Sequence, residues 1–500
     1  MECDFPTLPL DCLVCIFSYL DAEDLITVSL VNQSWNGAAE TAWLWRQLCM
    51  HRWTFCNLSK LNPEMKTWKN YYLRRAKLEQ HMTSGRAFAD YTCKTLRGHT
   101  GSVVGLVYLS DRNHQFDSKS IVCSASSDGT IRAWSIQEGI QLWSSQVQDA
   151  PLTKIIADQQ TGLVISTDSQ GRIKAWKAQT GDELASFPTA SSACTLLTYY
   201  RKDQSFLTAG TSGGALHTLT IPALSQVSHV RAFDTYKIDI LLLSPDKHWV
   251  IAALRESLDL HPKVYFTESL SCPCEDDPPV SASLPVNGCT AASFFPSEAA
   301  RVMIVHSDGL SNAKNISIFD IKSKKSKYKT EIMVEQVGSF ELLFDGWNSD
   351  ILLEAHGSGT ILIAQGKELK LYSIAGTQIA SFLDHKEHIA AMCVDSFRVV
   401  TASYDLSLRV FTWKKEQNKD LSLESRYHLL GGSDMFSRFS CRALDFSFRC
   451  SWNPSFVFWQ QRKKNVDVNA TFYTQIYHFD NTIKFIKKLF RLYYFAVKPH

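Results

Sequence analysis

The stretch that decides the fold of the N-terminal part is Phe5–Cys49, FPTLPLDCLVCIFSYLDAEDLITVSLVNQSWNGAAETAWLWRQLC. Four of its apolar residues recur at intervals of three and four, which is the spacing of one helix face. These residues are Leu13, Ile16, Phe17 and Leu20. Pro9 precedes them and suits the first turn of a helix, where the N–H that proline lacks would have no partner. The pattern predicts a first helix that starts at Leu8-Pro9.

Three further short helices are predicted in the same stretch. Asp21, Asn32 and Thr41 each stand where a helix N-cap is expected, and Asp24 adds an acidic first turn after Asp21. The large apolar side chains of the last two helices are Trp35, Leu44 and Trp45. Four short helices bury little surface. So many large apolar side chains therefore indicate a face for a partner, with a purely internal core as the alternative.

The stretch resembles an F-box. The family pattern is a leading Leu-Pro, an Ile-Phe-Ser-x-Leu helix, an acidic turn, a Val-to-Trp helix and a closing Leu-Trp. Here these are Leu8-Pro9, Ile16–Leu20, Val31–Trp35 and Leu44-Trp45, with Asn32 where Cys is common. The resemblance implies docking to a Skp-type adaptor and, through it, to a cullin–RING ubiquitin ligase. The expected adaptor contacts are Leu8, Pro9, Leu13, Ile16, Phe17, Leu20, Trp35, Leu44 and Trp45.

Composition limits the class of protein. A chain of 500 residues with 45% apolar and 20% charged residues predicts at least two folded domains. A net charge of +2 gives no reason to expect nucleic acid as a ligand. The sequence contains no run of about 18 apolar residues, so no membrane span is predicted, and no secretory signal is recognisable. The 14 cysteines are therefore expected to be reduced thiols in the cytosol or nucleus.

The hydrophobic period changes along the chain. Trp68, Tyr71, Tyr72 and Leu78 keep roughly helical spacing down to His81, which predicts a linker helix. From about Tyr91 the period becomes 2, and strands alternate with tight turns. The first strand set runs from Gly98-His99 through Asp128-Gly129 to Trp134.

This strand set resembles a WD repeat: a Gly-His, a strand, an Asp in a turn and a terminal Trp. The resemblance implies a buried network in which His99 links Asp128 to the hydroxyl of Ser124, which also accepts the Trp134 indole N–H. Asp and His side by side could also suggest catalysis, but a fold-holding network is the favoured interpretation.

Later repeats keep the frame more loosely. The second places Gln170 at the turn position that Asp128 holds in the first, and the last clear repeat restores His385 and Asp405, with Phe411 for the Trp. Starts at about every 40 to 50 residues predict a propeller of about seven blades. The predicted fold class is α+β multidomain: an all-α F-box and linker helix, then an all-β WD-repeat propeller. The domains are expected at 1–50 (F-box), 51–90 (helical linker), 91–435 (propeller) and 436–500 (a divergent C-terminal segment).

Three segments leave alternatives open. Cys272 and Cys274 lie in an acidic, Pro-rich loop and could bind metal, but two ligands alone are a weak signal. The basic run Lys322–Lys329 suits a solvated hairpin loop better than a localisation signal. Thr482–Val497 has the spacing of a basic amphipathic helix, which could touch a membrane or partner, pack on the domain or stay disordered. No cofactor and no metal are predicted.

The chain as a whole resembles the F-box/WD-repeat proteins over roughly residues 1–435. This implies a non-catalytic substrate receptor of a Skp–cullin–F-box ligase, in the cytoplasm or also the nucleus. The alternative is a WD-repeat scaffold outside any ligase. Related receptors grip phosphorylated substrates with Arg side chains, so Arg132, Lys174 and Arg409 are the candidate substrate contacts, with ordinary solvated strand residues as the alternative.

Overall fold

A computed structural model gives the architecture of the chain. It describes residues 9–53, 56, 67–82, 91–109, 121–135, 138–255, 260–273, 278–307, 314–325, 330–342, 350–395, 398–405, 407–415, 421–430, 473–479 and 489–491. The chain forms two compact units. The first comprises residues 1–85 with 396–398 and 412–426, and the second comprises the rest.

The described N-terminal residues of the first unit form five helices. They are α1 (Leu10–Phe17), α2 (Ala22–Val28), α3 (Gln33–Ala39), α4 (Ala42–Arg52) and α5 (Trp68–Met82). The predicted caps at Asp21 and Asn32 are confirmed. The Asp21 carboxylate accepts the N–H groups of Glu23 and Asp24, and the Asn32 side chain accepts that of Trp35 across 2.8 Å. Thr41 is the N-cap residue of α4, but no side-chain hydrogen bond caps this helix in the described structure.

Large side chains from helices α1, α3 and α4 meet in the core of this unit. Leu13 and Phe17 of α1 and Trp45 of α4 are almost fully buried. The Phe17 ring packs edge-on against Trp35, with 5.6 Å between ring centres. The Trp45 indole N–H donates to the backbone oxygen of Ala39 across 2.7 Å, so the buried polar edge of the ring is satisfied.

Within the described ranges, strands β2 to β29 form seven four-stranded antiparallel sheets, each made of four consecutive strands. The first three are β2–β5 (Val103–Leu109, Ile121–Ser126, Ile131–Ser135, Ile140–Ser144), β6–β9 (Leu152–Asp158, Leu163–Asp168, Arg172–Lys177, Glu183–Pro188) and β10–β13 (Ala193–Arg201, Gln204–Thr211, Ala215–Ile221, Gln226–Arg231). The next two are β14–β17 (Ile240–Leu243, Trp249–Ala253, Lys263–Phe266, Ser281–Ser283) and β18–β21 (Ala291–Phe294, Arg301–Ser307, Lys314–Lys325, Thr330–Leu342). The last two are β22–β25 (Ile351–His356, Thr360–Gln365, Glu368–Ser373, Gln378–Phe382) and β26–β29 (Ile389–Val394, Arg398–Ser403, Ser407–Lys415, Leu421–Leu430). A short helix, α6 (Thr267–Ser271), follows β16.

The core of the β-rich part lies between consecutive sheets. One buried cluster joins Cys123 and Ile131 of the first sheet to Val164 and Trp176 of the second, and similar clusters join each following pair through the sixth sheet. Central strands such as β7 are buried on both faces, because each sheet is covered on two sides. A blade cannot bury both faces alone, so its stability depends on its neighbours. The predicted fold class, helices followed by a seven-bladed WD-repeat propeller, is confirmed.

The predicted divergent segment contributes two strands. β30 (Tyr473–Phe479) pairs antiparallel with β1 (Tyr91–Arg97), and β31 (Leu489–Arg491) pairs with β30. The described residues within Thr482–Val497 are therefore strand rather than the amphipathic helix that the spacing suggested. Within the described ranges, no helix has the length and hydropathy needed to cross a membrane.

Candidate functional site

The first repeat contains the predicted polar network. Nδ1 of His99 lies 3.0 Å from Oδ2 of Asp128, and Nε2 of His99 lies 2.7 Å from Oγ of Ser124. The indole N–H of Trp134 donates to the same Oγ across 2.8 Å. Asp128 also accepts the backbone N–H groups of Thr100 and Thr130, each across 2.9 Å. The network connects the segment before β2 to the turn between β3 and β4.

Burial and hydrogen bonding set the charge states in this network. Burial alone would raise the pKa of Asp128, but hydrogen bonds from His99 and Thr130 outweigh it and hold that pKa well below its usual range. Burial lowers the pKa of His99 despite the nearby carboxylate. The pair is thus an ionised carboxylate beside a neutral imidazole at neutral pH.

The trio His99, Asp128 and Ser124 has the composition of a hydrolase triad but not its accessibility. Ser124 is fully buried, accepts from Trp134 and donates to the backbone oxygen of Arg132 across 3.3 Å. His99 is 2% exposed. A nucleophile must reach a substrate atom, and this hydroxyl is enclosed by its own sheet, so these residues hold the fold together.

The seventh repeat builds a similar network, with Thr401 in place of Ser124 and Phe411 in place of Trp134. Nδ1 of His385 lies 3.0 Å from Oδ2 of Asp405, and Nε2 lies 2.8 Å from Oγ1 of Thr401. The backbone N–H of Ser407 donates to Asp405 across 2.9 Å. The buried Phe411 stands in place of the tryptophan, so the hydroxyl of Thr401 receives no indole N–H.

The second repeat replaces the turn aspartate by a residue that the sequence analysis did not single out. Asp168, two residues before Gln170, accepts the backbone N–H groups of Gln170 and Arg172 across 2.9 and 2.8 Å. Trp176 still donates to Ser166, across 2.9 Å. The signal in the sequence was an aspartate two positions before Gln170, in a turn that contains Gly171, whose φ is +87°.

Several large apolar side chains are exposed on the helical unit, which comprises helices α1–α5 of the first unit. They belong to α1 and to the turns that follow α1 and α2: Leu10 (55% exposed), Ile16 (50%), Tyr19 (87%), Leu30 (81%) and Val31 (58%). Pro9, at the start of α1, is also exposed. Apolar surface of this kind on a small unit is typical of an interaction site.

The nine expected adaptor contacts divide into three groups. Pro9 and Ile16 are exposed, and Leu20 and Trp35 are half-buried. Leu13, Phe17, Leu44 and Trp45 are buried and support the unit from inside. Leu8 lies outside the described residues. Helix geometry explains the division within α1, because Leu13 and Phe17 lie at the centre of the apolar arc and Leu10 and Ile16 at its edges. Sequence reasoning did not include the exposed residues Leu10, Tyr19, Leu30 and Val31 among the contacts.

The three basic candidates each lie on the third strand of a different sheet. Nη1 of Arg132 donates to the side-chain oxygen of Gln141 across 2.8 Å. Lys174 donates to Glu183 across 2.8 Å and to Gln148 across 2.6 Å, so its charge is already paired. Nη2 of Arg409 donates to the backbone oxygen of Asp384 across 2.8 Å. The buried Nε of Arg409 has no hydrogen-bond partner within the described structure.

These three positions are not in the centre of the propeller. The first strands of consecutive sheets contact one another, so the first strands are innermost, and the third strands lie two positions further out. The described hydrogen bonds of the three side chains are made within their own sheets or to adjacent loops. The three cations therefore lie on three different sheets, each two strands out from the first strand of its sheet.

The part of the chain that is described contains no candidate metal site. No group of three or more His, Cys, Asp or Glu side chains is arranged to hold an ion there. Cys272 is exposed, and Cys274 lies outside the described residues.

Comparison with known proteins matches both parts of the chain. Residues 5–51 match the F-box-like family profile, and residues 91–135 match the WD domain, G-beta repeat. The chain is 34% identical over 418 residues to human F-box/WD repeat-containing protein 12, covering 83% of this chain and 88% of that protein. It is 27% identical over 432 residues to mouse F-box/WD repeat-containing protein 15, covering 86% and 91%. A solved structure of the computationally designed protein Ika8 matches at a TM-score of 0.40 and 17% identity, over 64% of this chain and 98% of that chain.

Proposed function

The chain belongs to the F-box/WD repeat-containing proteins, and from that premise we propose that it is the substrate-recognition subunit of a Skp–cullin–F-box ubiquitin ligase. In this proposal the helical unit docks on a Skp-type adaptor, and the adaptor links it to the cullin–RING ligase. The propeller selects the protein substrate. The family's members are typically non-catalytic adaptors, and we propose the same for this chain.

The exposed apolar side chains of the helical unit are the observation that carries the proposal. Leu10, Ile16, Tyr19, Leu30 and Val31 leave apolar surface in water on a unit whose core is already filled by Leu13, Phe17 and Trp45. Covering such surface releases about 25 cal/mol per Å². A partner is therefore the simplest reason for this chain to keep these residues outside.

The catalytic contribution in this proposal is positional. A receptor that holds a substrate lysine close to the thioester of a conjugating enzyme raises the effective concentration of the two groups. The conjugating enzyme then carries out the transfer of ubiquitin. The receptor only has to bind the substrate and hold its lysine in the right position. The buried networks of His99 with Asp128 and of His385 with Asp405 serve this role by stabilising the blades that present the substrate surface.

The substrate surface is proposed at the propeller, with a phosphorylated or acidic segment as the ligand. Arg132 and Arg409 are the two cations that keep donors for such a ligand, since guanidinium groups pair bidentately with phosphate. Lys174 is a secondary contact because Glu183 already neutralises it. We place the protein in the cytoplasm, with the nucleus as a second compartment.

Co-purification with a cullin tests the proposal against its alternative. A tagged full-length chain is expressed in cells, captured and probed for the adaptor and for a cullin. Recovery of both supports the receptor function. Recovery of the adaptor without any cullin, or of neither, would instead support a WD-repeat scaffold that acts outside a ligase.

A further inference from the structure

Two cysteines of the helical unit lie against each other at the end of α4. Cys49, in the last turn of α4, is fully buried, and Cys56 is half-buried. Sγ of Cys56 donates to the backbone oxygen of Cys49 across 3.7 Å. Sγ of Cys49 donates to the backbone oxygen of Trp68, at the start of α5, across 3.9 Å. Both cysteines are thiols in this structure.

A buried cation lies beside the outer thiol. Arg75 of α5 is 3% exposed, and its Nη1 lies 4.0 Å from Sγ of Cys56 and 2.8 Å from the Tyr71 hydroxyl oxygen. Its guanidinium carbon lies 4.5 Å from the centre of the Trp53 ring. A fixed positive charge next to a thiol stabilises the thiolate, which is the reactive form. Cys56 is thus the more nucleophilic of the two.

The inner thiol has the opposite properties. A hydrogen bond with Cys56, together with burial, raises the pKa of the Cys49 thiol well above its usual range. Cys49 therefore stays protonated and shielded while Cys56 is accessible and next to a cation. Because the thiolate is the form that attacks a peroxide, Cys56 is the thiol that is oxidised first. Cys49, whose backbone oxygen lies 3.7 Å from Sγ of Cys56, is the neighbouring thiol that can react with it afterwards.

We propose that Cys56 and Cys49 form an oxidative modification site whose reactant is a small hydroperoxide. In the first step the Cys56 thiolate attacks one peroxide oxygen and the O–O bond breaks. The products are Cys56 sulfenic acid and hydroxide, or an alkoxide from an organic hydroperoxide. In the second step Cys49 sulfur attacks the Cys56 sulfur, the S–O bond breaks, and one water leaves with the Cys49 proton. The two sulfurs lose two electrons in total, and the peroxide gains them.

The resulting disulfide would tie the last turn of α4 to the segment that leads toward α5. α4 also supplies Leu44 and Trp45 to the core of the unit. The site shares no residue with the exposed apolar side chains of the helical unit, so this inference stands whether or not the unit docks on an adaptor.

Peptide mapping of the full-length protein tests the proposal directly. Trypsin cleaves after Arg46, Arg52 and Lys60, so Cys49 and Cys56 fall in different peptides, 47–52 and 53–60. After treatment of the native protein with hydrogen peroxide, we expect these two peptides to appear joined, lighter by two hydrogens, and to separate on reduction. The exposed thiols of Cys12 and Cys15 on α1 serve as internal references.

Three variants assign the roles. Cys49→Ser should leave Cys56 as a sulfenic acid that dimedone traps. Arg75→Met should slow the reaction of Cys56 about tenfold, and Arg75→Lys should restore most of it, because the charge is what matters. Circular dichroism checks that each variant is folded. If Arg75→Met unfolds, the ratio of Cys56 to Cys12 reactivity in the native wild type decides instead.

Two results would overturn the proposal. If Cys12 and Cys15 react as fast as Cys56, exposure alone governs reactivity. Alternatively, oxidation could leave peptides 47–52 and 53–60 unlinked while other thiols of the folded protein react, and Cys49 would then not be a resolving thiol.

Discussion

His99 and Asp128 are joined by a contact of 3.0 Å between Nδ1 and Oδ2, although 29 positions separate them in the sequence. The contact connects the segment before the first blade to the turn between β3 and β4, the two middle strands of that blade. His385 and Asp405 repeat it at 3.0 Å in the seventh blade. The same pair of residues thus supports the first and the last of the seven blades, and the blades between them use other means.

The second blade tests whether Asp168 can replace the turn aspartate that Asp128 provides in the first blade. Asp128→Ala should lower the free energy of unfolding by about 1–3 kcal/mol, since buried N–H groups lose their acceptor. Asp168→Ala should cost a similar or slightly smaller amount, because Asp168 accepts two backbone N–H groups. Gln170→Ala is the matched control and should change stability by less than about 0.5 kcal/mol. Urea unfolding of the three variants gives the comparison. An equal loss in Gln170→Ala would show that Asp168 does not hold the turn.

Stability should also depend on pH through His99. The pKa of folded His99 is lowered, chiefly by burial. At mildly acidic pH the unfolded chain therefore binds a proton at His99 that the folded chain does not bind. Stability is therefore complete above about pH 6.5, the usual histidine pKa, and falls as pH decreases toward the folded pKa. Urea midpoints between pH 7.5 and 5.0 measure the slope.

The variant His99→Asn serves as the control for this slope. It should be less stable at pH 7.5 but should lose less on acidification. A residual slope is expected, because the pKa values of His217 and His428 are also lowered by burial. An identical slope in wild type and variant would contradict the assignment to His99.

The substrate surface gives a third prediction. Arg132→Glu combined with Arg409→Glu should reduce ubiquitination of a phosphorylated substrate by at least about tenfold, the effect of losing charge-assisted hydrogen bonds. Phosphatase treatment of the substrate should have a similar effect on the wild type. Lys174→Ala should change little, because Glu183 already pairs with Lys174. If charge reversal and phosphatase both leave ubiquitination unchanged, the substrate binds elsewhere on the propeller.

Much of this architecture can be read from local sequence. The caps at Asp21 and Asn32, the helix from Trp68 and the His99 network each follow from short-range spacing. The role of Asp168 could not be read this way, because a carboxylate two positions away reaches the same N–H groups once the turn is folded. The burial of individual side chains could not be predicted from the sequence either. Leu13 and Ile16 look equivalent by spacing, but helix packing buries one and leaves the other 50% exposed.

The position of the basic residues shows a different limit. Arg132 and Arg409 occupy equivalent places in their repeats, which the sequence indicates, but their distance from the inner strands depends on strand order within each blade. Lys174 looked comparable until its pairing with Glu183 across strands β8 and β9 became visible. Such cross-strand partners follow from register, and the bulge between Ala175 and Trp176 shifts that register by one residue.

The affinity of the full-length chain for a purified Skp-type adaptor, with Ile16→Asp and Ile140→Asp compared side by side, tests the central claim most directly. The two isoleucines are matched in exposure, 50% on α1 and 51% on the outer strand of the first blade. If the helical unit docks, Ile16→Asp should weaken binding by about 2 kcal/mol or more, roughly thirtyfold, while Ile140→Asp binds like the wild type. Equal binding by both variants, with the helical unit still folded, would contradict the account.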